Sequence, residues 1–223
     1  MNALVVSVDY ADCLAVTLPR NAKHFEQVVV VSTHEDRATA EVVRHVHNAD
    51  LIVTDAFYRD GALFAKDLAI VEGLRMMGGS HWITLLDADI LLPDPLPMPT
   101  LGIGTLYGAR RRMCPTTEPL SEWAFYPRQP DRIFAGYFQL FHSDDPNVQP
   151  WPNYPIDPKP WYSDTIFQDR WPPEKKHWLP FDVLHIGDPP RQNWLGRSPG
   201  AREQLRAILA NPENTHWRSR WSH

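Results

Sequence analysis

Four short apolar runs separated by connectors of helix length occupy the first 92 residues, and no other feature narrows the fold as much. Ala3 to Val8, Gln27 to Ser32, Leu51 to Thr54 and Trp82 to Leu86 are rich in β-branched and aliphatic residues, as strands buried on both faces must be. The connectors read as helices. Ala11 to Phe25 has a helical pattern interrupted by Pro19. Arg37 to His47 follows the cap Asp36 and buries Ala38, Val42, Val43 and Val46, and Ala62 to Met77 stops at Gly78-Gly79. A βαβαβαβ order implies a mostly parallel sheet with right-handed crossovers and helices on its faces, an α/β, Rossmann-like nucleotide-binding architecture. At 223 residues the chain is long enough for one sizeable core.

The fourth run ends at Asp87-Ala88-Asp89. In open α/β sheets ligands collect beyond the carboxyl ends of the strands, so two carboxylates there are placed to meet one. If the backbone stays extended, residues two apart point the same way, and two hard oxygen donors suit Mg2+ or Mn2+ carrying a phosphate ester. The competing reading is a solvated turn.

The second half is different in kind. Most of the 22 prolines fall after residue 92, and such loop-rich segments usually wall a site laid over a regular scaffold. Strand candidates are Leu101 to Ala109, Arg132 to His142 and Phe181 to Ile186. A helix begins at Trp161 to Asp164, capped by Ser163 or Asp164, and an amphipathic helix covers Pro199 to Leu209. The net charge of −5 advertises no nucleic acid or anionic membrane as partner. Cys13 and Cys114 leave room for one disulfide at most and form no zinc motif. The N-terminal apolar run is too short for a signal peptide or membrane span, so a cytoplasmic location is expected.

Several separated segments match one pattern together. Asp60 to Lys66, Trp82 to Pro93, Ala135 to Phe138, Ser163-Asp164 with Phe167 and Trp171, His185-Ile186-Gly187, and Asn193 to Arg197 give a chain that resembles the GT-A fold glycosyltransferases, in particular small bacterial and phage-type, family-2-like inverting members. The resemblance implies a GT-A type sheet divided into a nucleotide-sugar half (1–92), an acceptor and catalytic half (93–198) and a C-terminal helix and tail (199–223). It implies a UDP- or GDP-sugar as donor, with Asp87, Asp89 and His185 holding Mn2+ or Mg2+ against its diphosphate. Asp164 is similar to the acceptor-side general base, although position 163 is Ser where such enzymes commonly pair two acids. Asp9, Tyr10 and Asp36 stand where the nucleotide is expected, Asp36 serving equally as a helix cap. Lys66 and Arg197 are candidates for the phosphates, or else ordinary surface cations. Ala135-Gly136 corresponds to small residues lining the donor sugar, and Trp161, Trp171 and Trp194 could stack on sugar faces or fill the core.

The function expected is metal-dependent transfer of a sugar to an acceptor hydroxyl. Small phage-type enzymes of this kind include ones acting on hydroxymethylated pyrimidines in DNA. Arg110 to Arg112, with Arg218 and Arg220 among Trp217 and Trp221, could follow a phosphate backbone. A glycan is the other acceptor. Two further readings are nucleotidyl transfer, which normally shows a Gly-rich basic loop where this chain has Val8 to Asp12, and an inactive sugar-nucleotide-binding module.

Overall fold

A computed structural model describes residues 1–62, 64–130, 133–148, 162–187, 197 and 203. The parallel half follows the expected order. β1 (Asn2–Val6), α1 (Ala11–Asn21), β2 (Val28–Ser32), α2 (Arg37–Arg44), β3 (Ala49–Val53), α3 (Lys66–Met77) and β4 (Trp82–Asp87) alternate along the chain. β1 pairs in parallel with β2 on one side and β4 on the other, and β2 with β3. The second half adds β5 (Ile90–Leu91), β6 (Leu106–Cys114), β7 (Phe138–His142), α4 (Tyr162–Gln168) and β8 (Lys176–Ile186). The eight-stranded sheet runs β3-β2-β1-β4-β7-β6-β8-β5. β7 is antiparallel to both β4 and β6, β8 is parallel to β6, and β5 is antiparallel to β8.

The two-residue period of the strands divides the core between the faces. Leu4, Val6, Val29 and Val31 join one cluster with Phe64, Ile70 and Met77 and with Phe141, Phe167 and Trp171, so α3 and α4 cover that face. Ala3, Val5, Val28 and Val30 turn the other way and pack with Leu14, Leu18 and Val43 of α1 and α2. α3 lies close enough that a methyl at Gly73 would come within 2.4 Å of a Leu4 methyl. A side chain there would force Leu4 and Val31 to repack.

Several boundaries differ from expectation for local reasons. Pro19 does not interrupt α1, because it sits on the exposed face where the carbonyl it deprives of a partner can meet water. α2 ends at Arg44 and buries Thr39 and Val43, whereas Ala38 faces solvent. α3 starts at Lys66 because Ala56–Gly61 forms a separate 3₁₀ turn. β6 begins later than expected and carries the arginine triplet inside the strand. β8 starts five residues early, and its Pro180 falls where the β6–β8 register slips between Gly108 and Arg110, the irregular place in the ladder where a proline is tolerated. Both cysteines are free. Trp161, Trp194, residues 217–221 and, apart from Glu203, the helix expected over 199–209 lie outside the described residues. No helix among those described is long and apolar enough to cross a membrane.

Candidate active site

The Asp-Ala-Asp segment closes β4 and is fastened from three sides. Tyr137 O accepts from Asp87 N at 3.1 Å, and Ile186 N donates to Asp89 O at 2.9 Å. From α1, Thr17 Oγ1 donates to Ala88 O at 2.6 Å, Asn21 Nδ2 donates to Ile90 O at 2.7 Å, and Leu92 N donates back to Asn21 Oδ1 at 2.9 Å. Thr17 and Asn21 are buried polar residues on a helix face that otherwise reads as apolar. The sequence reading passed them over, and two polar residues at the i, i+4 spacing on an apolar face were the available signal.

These bonds fold Ala88-Asp89 into a turn, so the extended geometry expected of the two carboxylates does not hold. Each finds its own partner. Lys66, the first residue of α3, donates to Asp87 Oδ1 at 2.6 Å and lies 4.0 Å from Asp164 Oδ1. The Asp89 carboxylate, 4% exposed, faces His185 of β8 with 2.9 Å between Oδ2 and Nε2. Arg111 of β6 approaches the other ring nitrogen of His185 at 3.4 Å and lies over the Tyr137 ring. An arginine N–H can only donate, so Nδ1 accepts and the proton of the neutral ring sits on Nε2, toward Asp89.

The electrostatics follow from burial set against neighbours. Burial opposes the charge on Lys66, but Asp164 and Asp87 outweigh it and raise its pKa. Asp164 is pushed up to about 6, chiefly by burial, with Lys66 opposing and Asp87 adding to the rise. His185 is also raised: burial works against the imidazolium, and the charge and hydrogen bond of Asp89 prevail. A carboxyl near 6 and a permanently charged ammonium beside it make a pair able to accept a proton and to hold an anion at neutral pH.

Asp164 lies in the first turn of α4, inside the helix rather than at its cap. Its carboxyl occupies the space where Gly136 has no side chain, and the nearby Gly136 main chain works against the rise in its pKa. Gly136 thus faces the expected base.

At the end of β1 the backbone of Asp9 is left-handed, with φ 63°, a conformation that Asp tolerates better than most residues. Asp36 receives it: Asp36 Oδ2 accepts from Asp9 N at 2.9 Å and from Thr39 Oγ1 at 2.7 Å, while Oδ1 accepts from Thr39 N at 3.0 Å. Of its two expected roles, Asp36 fills that of cap and strap. Arg197 donates to Asp9 O at 2.8 Å and Asp12 Oδ1 at 2.6 Å, and its guanidinium covers one face of the Tyr10 ring at 3.9 Å. It is buried at the β1–α1 corner rather than presented as a surface cation. Asp9 is raised by burial and by Asp36, and the Tyr10 phenol by burial and by Asp89 and Asp87, so its hydroxyl stays protonated.

The arginine triplet is used within the fold. Arg110 lies 5.0 Å over Trp178, and Arg112 donates to Asp182 at 2.8 Å and to Tyr126 O at 2.8 Å. Strand alternation sends Arg111 to the opposite face, so the three do not form the phosphate-tracking stripe their adjacency suggested. Trp171 is a core residue whose indole N–H donates to Asp145 at 2.8 Å.

No family model and no curated protein matches the sequence. Among solved structures, the chain is similar to a mannosyl-3-phosphoglycerate synthase from Rubrobacter xylanophilus, at 21% identity and a TM-score of 0.37 over 50% of this chain and 40% of that one. It is also similar to a 4-diphosphocytidyl-2C-methyl-D-erythritol synthase from Anaerococcus prevotii DSM 20548, at 10% identity and a TM-score of 0.49 over 94% and 96% of the two chains.

A divalent cation can be tested against the donor atoms themselves. Among the described residues no three His, Cys, Asp or Glu side chains gather around one point. Asp89 and His185 nevertheless present a carboxylate oxygen and an imidazole nitrogen 2.9 Å apart, an approach two neighbouring ligands of one ion can share once the Nε2 proton leaves. Mg2+-like ions are usually held by one or two carboxylates plus substrate phosphates and water; Asp89 supplies the carboxylate, and the His185 nitrogen suits the softer Mn2+ better than Mg2+.

Proposed function

We propose that the protein is a glycosyltransferase that moves a sugar from a nucleoside diphosphate sugar to an acceptor hydroxyl with inversion. The observation that carries this reading is the bridge from Asp87 through Lys66 to Asp164, which brings a carboxyl near pKa 6 beside the carboxylates at the end of β4. The sugar nucleotide lies over the carboxyl ends of β1 and β4. Asp9 and Tyr10 meet the nucleotide, and Asp36 and Arg197 hold that corner. Asp164, ionised, takes the proton of the acceptor hydroxyl as its oxygen bonds to the anomeric carbon from the face opposite the diphosphate. The bond from that carbon to the phosphate oxygen breaks, and the electron pair leaves with the nucleoside diphosphate. Lys66 stands where that growing negative charge needs a cation. Asp89 and His185, with Asp87 beside them, would hold Mn2+ or Mg2+, which when bound stabilises the departing diphosphate as a Lewis acid.

The test is a panel of UDP- and GDP-sugars with Mn2+, following nucleoside diphosphate release with glycan acceptors and with hydroxymethylated DNA. Acceptor-stimulated release of nucleoside diphosphate with Mn2+, suppressed by EDTA, is expected. Pyrophosphate release from a nucleoside triphosphate and a sugar phosphate would replace this reading with nucleotidyl transfer, and binding without release would leave a sugar-nucleotide-binding module. The internal use of Arg110 to Arg112 removes one argument for DNA, and the two acceptor arms decide it.

A further inference from the structure

Gly136 is buried in the turn that leads into β7, and its φ lies outside the left-handed region. Backbone conformation therefore does not explain a glycine there, and space does. A methyl at this position would stand 2.1 Å from both Cγ and Oδ1 of Asp164 and 2.2 Å from Oδ2. Real carbon contacts never come so close, and all three atoms belong to one carboxyl group. The Lys66 ammonium stands 4.0 Å from that carboxyl. Gln139 Nε2 ties the neighbourhood together by donating to Phe134 O at 2.7 Å and to Asp164 O at 3.4 Å. Gln168, one turn along α4 from Asp164, accepts from Phe134 N at 2.9 Å. α4 and the 134–139 turn are thus fixed to each other by side-chain to main-chain hydrogen bonds on both sides of the glycine.

We infer that Gly136 is a positioning residue: the missing side chain is the seat of the Asp164 carboxyl, and the seat aims that carboxyl at the acceptor hydroxyl. This rests on the role proposed for Asp164 above. It also replaces the expectation that the small residues 135 and 136 serve the donor sugar. A side chain at 136 would turn the carboxyl off its line while leaving the nucleotide end of β1 and the Asp89–His185 pair untouched. Misplacement of about 1 Å at a reacting group can cost about 100-fold in rate.

The experiment is a double-mutant cycle of Gly136→Ala and Asp164→Ala, read by thermal unfolding, with donor binding and kcat measured for both single variants. Overpacking should lower the Tm of Gly136→Ala by about 3–8 °C. In the Asp164→Ala background the same methyl enters vacated space, and the loss should disappear. Donor affinity should stay within about threefold while kcat falls about 100-fold. If Gly136→Ala does not fold, recovery of folded protein in the double variant supports the seat, and failure of both overturns it. Equal Tm losses in the two backgrounds would also overturn it, as would a joint loss of donor binding and turnover, which would place the donor sugar against Gly136. Strong coupling in Tm with unchanged transfer in both single variants would keep the seat and remove Asp164 from the chemistry.

Discussion

Asp87 and Asp89 are two residues apart, yet they belong to two regions that work differently. Asp87 has a side chain 34% exposed, sits at the open end of β4 and shares an ammonium with Asp164, so its region joins strand, α3 and α4 through one buried cation. Asp89 is nearly buried and pairs with an imidazole across β5 and β8, backed by Arg111 and by the Asp89 O to Ile186 N hydrogen bond, so its region is a rigid piece of sheet. The first keeps one carboxylate partly open to solvent. The second is preorganised, which suits a site that must hold one geometry before and after reaction.

The comparison breaks most sharply at Asp164. Asp164→Asn keeps the shape but cannot take a proton, so kcat should fall by about 10³ while donor binding, measured by calorimetry, is retained. Unchanged turnover would leave the Lys66 bridge a structural ion pair. On the rigid side, Asp89→Ala should lower turnover by about 10² to 10³ and abolish the response to Mn2+, with secondary structure intact by circular dichroism. A variant still stimulated by Mn2+ would show that His185 and Asp89 are a packing pair.

How far the sequence disclosed these regions depends on how local each signal is. The order β1 to β4 was legible because alternating apolar residues and helix-length connectors are local patterns, and α1 to α3 followed with errors of a few residues at their ends. The partners of Asp87 and Asp89 are not legible from spacing, because the turn that separates them is imposed by Thr17, Asn21 and Ile186, residues on other elements and far away along the chain. His185 and Asp164 were named from the family resemblance rather than from any pattern around them. Gly136 was noticed as small, but the reason for its size depends on an approach from α4 that no window of sequence contains. The arginine triplet shows the opposite failure. Adjacency in sequence suggested a patch, and strand alternation dispersed it.

Lys66 is the residue that sets the two regions apart, and Lys66→Met sharpens the contrast at a smaller scale. Removing the ammonium should reduce kcat/KM by about 30-fold, within the range for loss of one charge-stabilising donor or less. It should also move the acid limb of the pH–rate profile to higher pH, because Lys66 is the group that opposes the rise in the Asp164 pKa. A lower kcat/KM with an unmoved limb would mean that Lys66 serves the donor phosphates alone.

The smallest effect is in stability and needs no substrate. A carboxyl held at about 6 by burial binds its proton more tightly in the folded protein than in the unfolded chain, where its value is ordinary. Between about pH 4 and 6 the folded state therefore carries the extra proton, and stability falls as pH rises, the reverse of a carboxylate depressed by a salt bridge. A shift of this size corresponds to about 3 kcal/mol at full burial, and solvent reaching the side chain, 19% exposed, reduces the expected loss to about 1 kcal/mol. His185 is raised as well, so its contribution is present below its ordinary value and is lost only as pH climbs past it, through a higher window. Tm curves of the wild type and Asp164→Asn from pH 4 to 8 separate the two regions. The variant should gain relative to wild type from pH 4 to 6, and the remaining decline above that, carried by the imidazole, should be common to both proteins. Parallel curves across the lower window would show that Asp164 is solvated, and the Lys66 region would then lack the buried carboxyl that distinguishes it from the Asp89–His185 pair.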